Sequence, residues 1–389
     1  MKKGYLFIAN GRIVPREQEL SLAPVRTGSF EASAMYAAEQ LGFKLYMGIN
    51  HNYADQLKCI DYDITFYNQH IYRNIWGIKD IWIGYKKLCS FLEMHPDIYV
   101  IHCNTPIGGF LGRICGHKYK KKVIYTAHGF HFFKGGSFVN RTIFKWIEEW
   151  MAHYSDAIIT INKEDFTAAK KFHYKKGGKA YYVPGVGVCT TTCENIIVDK
   201  VVKFKEIGLP EDVNVGIIVG DLNDNKNVET LIKALPLTPS FFHVIICGLG
   251  SNEKSLKKLV DDEKLTERVH FLGYRTDVKE LYAISDLFLL ASKREGLPRS
   301  TMEAMCMGLP CIVSKIRGNV DLIDEGYGGY LIAPLDFQGF ACAINKLLKD
   351  KVHAKLLGEY NRTKVKGFDI KIVNQIMIKT FTEILEINK

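Results

Sequence analysis

The sequence predicts an α/β protein of two domains, each a parallel sheet covered by helices on both faces. Three observations carry this expectation. Short apolar runs alternate with longer helical patterns along most of the chain, which is the signature of βαβ units. The alternation pauses once, at Pro184-Gly185-Val186-Gly187-Val188-Cys189-Thr190-Thr191-Thr192-Cys193, where periodicity is lost. The chain of 389 residues is long enough for two or three domains at roughly 150 residues each.

In the first half, strands are expected at 5–10, 44–49, 98–103, 123–127, 157–161 and 180–183. Most are near-continuous apolar runs, as strands buried on both faces should be. Helical patterns lie between them at 28–41, 78–94, 108–115, 140–153 and 163–172. Segment 184–193 reads as an interdomain linker. Strands resume at 215–219, 242–247, 269–272, 287–290, 310–314 and 330–332, with helices at 227–235, 253–260, 277–284, 300–307 and 337–348. The tail 370–387 reads as one more helix with Ile372, Ile376, Phe381, Ile384 and Ile387 as its apolar stripe. The expected domains are 1–188 and 189–366, followed by a C-terminal helix within 367–389. The loop 11–25 has no assigned place.

Composition narrows the function. Hydrophobic residues make up 47% and charged residues 24%, which excludes global disorder. No apolar run reaches the roughly 18 residues a membrane-spanning helix needs. The start, basic and then apolar, has too short an apolar core for a leader and reads as a first buried strand. Ten cysteines are scattered without a Cys-x-x-Cys pair, which argues against a zinc site or a disulfide framework and for reduced thiols in the cytoplasm. Residues 1–189 hold 25 Lys+Arg against 15 Asp+Glu, whereas 190–389 hold 27 of each. The first half should therefore have an anionic partner. No nucleic-acid recognition motif is present. Lysine clusters at 86–87, 118–122, 170–171 and 175–176 lie near Trp76, Trp82, Tyr85, Phe144, Trp146 and Trp150. The aromatics are expected to pack between helices and sheet. The excess charge favours contact with an anionic membrane surface, peripheral at the inner face of the cell membrane.

The strongest local signal spans 292–310. Glu295 sits in a Gly/Pro loop directly after a buried strand, and Glu303 lies eight positions later on the following helix. That helix starts near 298–300, where free backbone N–H groups and the positive dipole end favour a phosphate. Carboxylates flanking an anion site accept hydrogen bonds from vicinal sugar hydroxyls. His128 follows the strand at 123–127 and precedes Gly129, so it belongs at a strand's carboxyl end. Gly248-Leu249-Gly250-Ser251-Asn252 is a glycine-rich turn after another strand.

With these segments in order, the chain resembles the retaining glycosyltransferases of family 4, of the bacterial capsular and exopolysaccharide type. Glu295 to Glu303 looks like the family's paired-glutamate motif. Gly220-Asp221-Leu222-Asn223-Asp224-Asn225-Lys226-Asn227 looks like its phosphate-binding loop. Tyr125-Thr126-Ala127-His128-Gly129-Phe130-His131-Phe132 looks like its histidine loop. Ile316-Arg317-Gly318-Asn319-Val320-Asp321-Leu322-Ile323 looks like the segment after the glutamates. The match spans about 98–332 and is thin before that.

The resemblance implies a GT-B fold, two facing Rossmann-like parallel-sheet domains with a cleft between them. The C-terminal helix would pack back on the N-terminal, acceptor-side domain. Glu295 and His128 would be catalytic, Glu295 holding donor hydroxyls and supporting charge at the reacting carbon. Glu303 would bind ribose hydroxyls. Lys226, with Asn225 and backbone groups of Gly296, Leu297, Pro298 and Arg299, would bind the diphosphate and sugar. Gly250 would help position the donor. Tyr274 and Arg275 would lie by the nucleobase, and Thr27, Gly28 and Ser29 would approach acceptor or phosphate. One position departs from the pattern: many members carry Arg five residues before the lysine, and here Asp221 stands. The phosphate load would fall on Lys226, the helix dipole, and Arg299 or Arg317.

The implied reaction moves a hexosyl group from a nucleoside-diphosphate sugar, a UDP-sugar, to a hydroxyl of a lipid-linked glycan. No cofactor or metal is expected, since no Asp-x-Asp stands at a strand end. Two alternatives share the nucleotide-sugar site: an epimerase on a similar architecture, and a non-catalytic nucleotide-sugar-binding subunit.

Overall fold

The computed structural model describes residues 2–9, 24–72, 74, 76–133, 135–136, 138–194 and 196–387. Residues 11–23 of the loop 11–25 lie outside them. The chain forms two compact units. Unit 1 comprises Met1–Val186 and Lys371–Lys389, and unit 2 comprises Gly187–Ile370.

Unit 1 is built on seven strands: β1 (Gly4–Ile8), β2 (Lys44–Ile49), β3 (Ile64–Asn68), β4 (Ile98–Cys103), β5 (Lys122–Ala127), β6 (Ala157–Thr160) and β7 (Lys179–Tyr182). They lie in the order β3-β2-β1-β4-β5-β6-β7, and every pairing is parallel. The helices are α1 (Ala32–Gln40), α2 (Ile78–Met94), α3 (Pro106–Lys118), α4 (Lys145–Ala152) and α5 (Lys163–Ala169), with a π-type turn at Asn140–Phe144 leading into α4. β1 shows why its run is continuously apolar. Tyr5 and Phe7 point into one core with Met35 of α1 and with Val373, Met377 and Phe381 of the C-terminal helix Ile370–Ile384. Leu6 and Ile8 point into the other core, with Leu88 and Leu92 of α2 and Leu111 of α3. Side chains alternate across the pleat, and both faces are covered.

Unit 2 contains β8 (Asn214–Val219), β9 (Phe242–Cys247), β10 (Val269–Gly273), β11 (Leu287–Leu290), β12 (Cys311–Ser314) and β13 (Gly329–Ile332). Their order is β10-β9-β8-β11-β12-β13, again all parallel. Its helices are α6 (Thr191–Glu194), α7 (Lys200–Glu206), α8 (Val228–Ala234), α9 (Glu253–Asp262), α10 (Val278–Ile284), α11 (Arg299–Cys306), α12 (Asn319–Leu322), α13 (Phe337–Lys349) and α14 (Lys351–Val365). The helix Ile370–Ile384 that follows is α15.

Five of these strands and helices lie outside the sequence expectation: β3, α6, α7, α12 and α14. The inner side of α14 carries Gly358 and Asn361 beside Leu357 and Val365, so it lacks a full apolar stripe. The Asn361 amide instead donates to Leu309 O at 2.8 Å and Gly328 O at 2.6 Å. Segment 184–193 is not slack chain. It includes α6, and Val188 exchanges backbone hydrogen bonds with Phe368 and Ile370.

The aromatics of the basic half require a correction. Trp76, Trp82, Trp146 and Trp150 were expected between helix and sheet, yet all are exposed, Trp76 by 84% and Trp146 by 65%. The space under α4 is filled differently. Arg113 of α3 is buried and donates to Glu148 of α4 at 2.9 Å and to Gly109 O at 3.0 Å. Its guanidinium lies 4.2 Å from the Tyr125 ring centroid, and Tyr125 Oη donates to the other Glu148 oxygen at 3.3 Å. An ionic network occupies that layer, and the tryptophans face outward.

Removing one member of a buried ion pair leaves an uncompensated charge. Glu148→Ala should therefore destabilise unit 1 by about 3–5 kcal/mol, read as a lower midpoint in chemical denaturation. The paired replacement Arg113→Met/Glu148→Leu should recover most of that loss.

Candidate functional site

In unit 2 the strand order runs outward from β8 in both directions. The adjacent pair β8 and β11 is therefore a topological switch point, where loops leave in opposite senses and open a crevice at the carboxyl ends. The loops at this edge are joined backbone to backbone. Gly220 N donates to Cys247 O at 3.0 Å, Leu222 N to Leu249 O at 2.9 Å, Asn252 N to Leu222 O at 3.0 Å, and Gly248 N to Gly273 O at 2.8 Å. A Cβ on Gly248 would stand 1.9 Å from Gly220 O, and one on Gly250 would stand 2.1 Å from Leu222 O. Only glycine permits that approach. The glycine-rich turn is thus the wall against which the 220–227 loop is set.

That loop is shaped by Asn223, a residue sequence reasoning did not single out. Its side-chain oxygen accepts from Asn225 N at 3.0 Å and Lys226 N at 3.1 Å. This is the local Asx chemistry that makes asparagine a turn residue. Asn225 in turn donates to Arg294 O at 2.9 Å, and Lys293 N donates to Asn225 O at 2.8 Å. Asn227, in the left-handed region at φ 52°, donates to Ala291 O at 3.0 Å and Pro334 O at 2.8 Å. The loops after β8 and β11 are thereby held against one another.

The result is a charge pair. Lys226 Nζ donates to Glu295 Oε1 at 2.7 Å, with the two side chains 19% and 13% exposed. Arg317 Nε donates to the Glu295 carbonyl at 3.1 Å. Arg294 stands beside this pair. Burial first, then the Arg317 charge, holds its guanidinium below the ordinary arginine value. The helix α11 begins at Arg299 with Pro298 as its N-cap, and no side chain caps it. Leu297 and Pro298 are buried and Gly296 is half-buried. The expected Arg299 is paired with Glu303 at 2.8 Å, so each neutralises the other. Asp221 is exposed, and its carbonyl accepts from Asn223 N at 3.1 Å.

Tyr274 and Arg275 follow β10. Tyr274 is 76% exposed. Arg275 is engaged by carboxylates, donating to Asp277 at 2.7 and 2.6 Å and to Glu206 at 2.7 Å. Lys203 joins the same cluster through Glu206, Asp277 and Glu280. Arg275 thus serves a local network, and Lys226 remains the cation nearest Glu295. A cavity of about 330 Å³ is lined by Asn223, Asp224, Asn252, Lys258 and Lys293. Neither Lys226 nor Glu295 lines it.

The remaining candidates lie in unit 1. Thr27 donates through its N–H and hydroxyl to Asp61 at 3.0 and 3.1 Å. Gly28 N donates to Glu31 at 2.6 Å, which places a carboxylate where an anion would bind. Ser29 and His128 line one small cavity with Phe30, His102 and Thr126. His128 stands edge-on to Phe30, ring centroids 4.9 Å apart. Neither of its ring nitrogens has a hydrogen-bond partner among the described residues. Burial pushes its pKa down to about 4. His102 is fixed by the Tyr5 hydroxyl and by Thr126 Oγ1 at 2.7 Å. Burial, then the charge of His128, pushes His102 down to about 3. Both imidazoles are neutral at physiological pH.

The sign of the pH dependence follows. Below the unfolded histidine value of 6.5, the unfolded chain binds protons that these buried rings do not, so stability falls with pH. Unit 1 should lose stability from about 6.5 down to about 4 for His128 and about 3 for His102. Denaturation midpoints measured across that range should drop less steeply in His128→Gln.

Comparison with known proteins adds the relationship. Residues 199–364 match the family model "Glycosyl transferases group 1". EpsD of Bacillus subtilis is 32% identical over 286 residues, covering 72% of this chain and 74% of that one. The UDP-Gal:alpha-D-GlcNAc-diphosphoundecaprenol alpha-1,3-galactosyltransferase of Escherichia coli is 31% identical over 317 residues, covering 79% and 80%. Among solved structures, HepE from Anabaena, in complex with UDP and glucose, superposes with a TM-score of 0.76 at 19% identity, covering 98% of this chain and 99% of that one. Sucrose-phosphate synthase from Thermosynechococcus elongatus superposes with a TM-score of 0.80 at 17% identity over all of both chains. The fold is GT-B, and the chain belongs to the glycosyltransferase group 1 family, family 4 of the glycosyltransferases.

Proposed function

We propose that the protein transfers a hexosyl group, with retention at the anomeric carbon, from a UDP-sugar to a hydroxyl of a lipid-linked glycan in capsular or exopolysaccharide synthesis. The observation that carries this reading is the Lys226–Glu295 contact of 2.7 Å at the switch point of unit 2. It sets a cation and a carboxylate together beside the uncapped start of α11. The names of the relatives support the substrate class: the E. coli galactosyltransferase uses UDP-Gal and a diphosphoundecaprenol-linked acceptor, and HepE is bound to UDP and glucose.

In this reading the donor's diphosphate takes over Lys226, since a phosphate is the stronger charge partner. The N–H groups at the start of α11 add to its hold. Glu295, released from Lys226, accepts hydrogen bonds from sugar hydroxyls and stabilises positive charge as the anomeric C–O bond breaks. Glu303 binds the ribose hydroxyls. The acceptor oxygen attacks from the face the phosphate leaves, and a phosphate oxygen takes its proton. Arg317 holds the Glu295 backbone, so the carboxylate is positioned before the reaction, and preorganisation of that kind supplies much of the rate. To His128 we assign a neutral hydrogen bond to substrate. Lys226 and the helix start carry the diphosphate charge without a metal.

Turnover should fall by orders of magnitude in Glu295→Gln, while UDP still raises its thermal midpoint as in the parent. Parent-like turnover in that variant would remove Glu295 from the site. Lys226→Ala loses a hydrogen bond to a charged group, worth about 1.5–3 kcal/mol, so UDP titrations should show roughly tenfold to hundredfold weaker binding. Transfer should persist in EDTA; abolition by EDTA with recovery in manganese would show that a metal carries the diphosphate.

A further inference from the structure

We propose that unit 1 docks on an anionic lipid bilayer through the first turns of α2, α3 and α4. The inference rests on the proposed function only in that a lipid-linked acceptor would be met at the same surface.

The three helices form one layer. Leu88 and Leu92 of α2, Leu111 of α3 and Ala152 of α4 share a core with Leu6 and Ile8 of β1, so they cover the same face of the sheet. α3 is joined to α2 by Cys89 and Cys115, 3.8 Å apart, and to α4 by Arg113 and Glu148. α2 follows β3, α3 follows β4 and α4 follows β5, and the sheet is parallel throughout. Helices that return the chain between parallel strands start at the carboxyl edge. The three N-terminal ends therefore lie along one rim.

That rim is apolar and open. Trp76, Ile78, Trp82 and Ile83 are exposed at the start of α2, and Phe110 near the start of α3. Ahead of α4 and along it, Phe138 is 74% exposed, and Val139, Ile143, Trp146 and Trp150 are exposed with it. Ile143, Trp146 and Trp150 recur at helical spacing, while Glu148, Met151 and Ala152 face inward. The helix thus has a second apolar stripe that unit 1 leaves uncovered. Trp146 and Trp150 lie parallel, centroids 6.4 Å apart, and no other described aromatic ring covers Trp146.

Charge identifies the occupant. Unit 1 holds 28 Lys+Arg against 17 Asp+Glu, whereas unit 2 holds 24 against 25. Lys79, Lys86, Arg141 and Lys145 stand among the exposed rings. Lys86 Nζ lies over the Trp82 ring, 5.2 Å from its centroid, a cation–π contact that sets positive charge beside an exposed tryptophan. The nearby acids have partners: Asp80 pairs with His70 at 2.8 Å and Glu149 with Lys145 at 3.5 Å. With Lys145 balanced by Glu149, the tryptophans still have Lys79, Lys86 and Arg141 beside them, which fits a headgroup layer of negative charge. His128 follows the end of β5, at the same carboxyl edge of the sheet.

The full chain should co-sediment with phosphatidylcholine vesicles containing phosphatidylglycerol at least about tenfold more tightly than with pure phosphatidylcholine. High salt should weaken this, and tryptophan emission should shift to the blue on binding. The variant Trp82→Ser/Trp146→Ser/Trp150→Ser should bind anionic vesicles about tenfold or more weakly, with its thermal midpoint and its response to UDP unchanged. Equal binding to neutral and anionic vesicles at low salt overturns the proposal, as does parent-like vesicle binding by the variant. A parent dimer that the variant converts to monomer also overturns it, because a second copy would then cover the rim. Vesicle binding is read without donor, so a failure of UDP binding in the parent counts against the catalytic reading alone.

Discussion

The site in unit 2 depends on how closely two loops approach. The backbone after β8 and the backbone after β9 are in direct contact, Gly248 against Gly220 and Gly250 against Leu222, with no room for a side chain. Once those loops are locked, Asn223 sets the turn that carries Lys226, and Asn227 ties the start of α8 to the end of β11. A bulkier residue in the wall would shift Lys226 without touching it. The glycines are therefore a condition on the position of a charge.

That charge is compensated within the fold. Lys226 and Glu295 neutralise one another, and Arg299 and Glu303 do the same one helical turn into α11. These pairs leave neither carboxylate unpaired and half-buried, which would be costly. The departure at Asp221 is also understandable in these terms. The residue is exposed, and it leaves the Lys226–Glu295 pair as the local charge balance.

Much of the architecture was legible because both sheets are covered on both faces. Such strands appear as unbroken apolar runs, and β8 to β13 stood out that way. β3 did not, because the exposed Thr65 and half-buried Asn68 interrupt its apolar run. α14 was hidden because Gly358 and Asn361 do work that apolar residues usually do. The site residues were legible from motif order along the chain. Their pairings were not: nothing in the spacing says that Lys226 reaches Glu295, that Arg275 is consumed by Asp277 and Glu206, or that the carboxylate of Glu31 occupies the Gly28 amide. The outward orientation of the tryptophans was hidden for a related reason, since helical spacing shows that a stripe exists and not which of two stripes faces the core.

Unit 1 is also discontinuous. Its core is finished by Val373, Met377 and Phe381 of α15, which pack beside Tyr5 and Phe7 of the first strand, while all of unit 2 lies between them in the chain. During vectorial synthesis, the ribosome delivers unit 2 as an uninterrupted stretch that can close on itself. The earlier-made lobe must wait, with an apolar seam uncovered, until α15 emerges. N-terminal-first folding, the usual order for chains of several domains, is reversed here at the step of completion, and chaperone dependence would concentrate on that waiting seam.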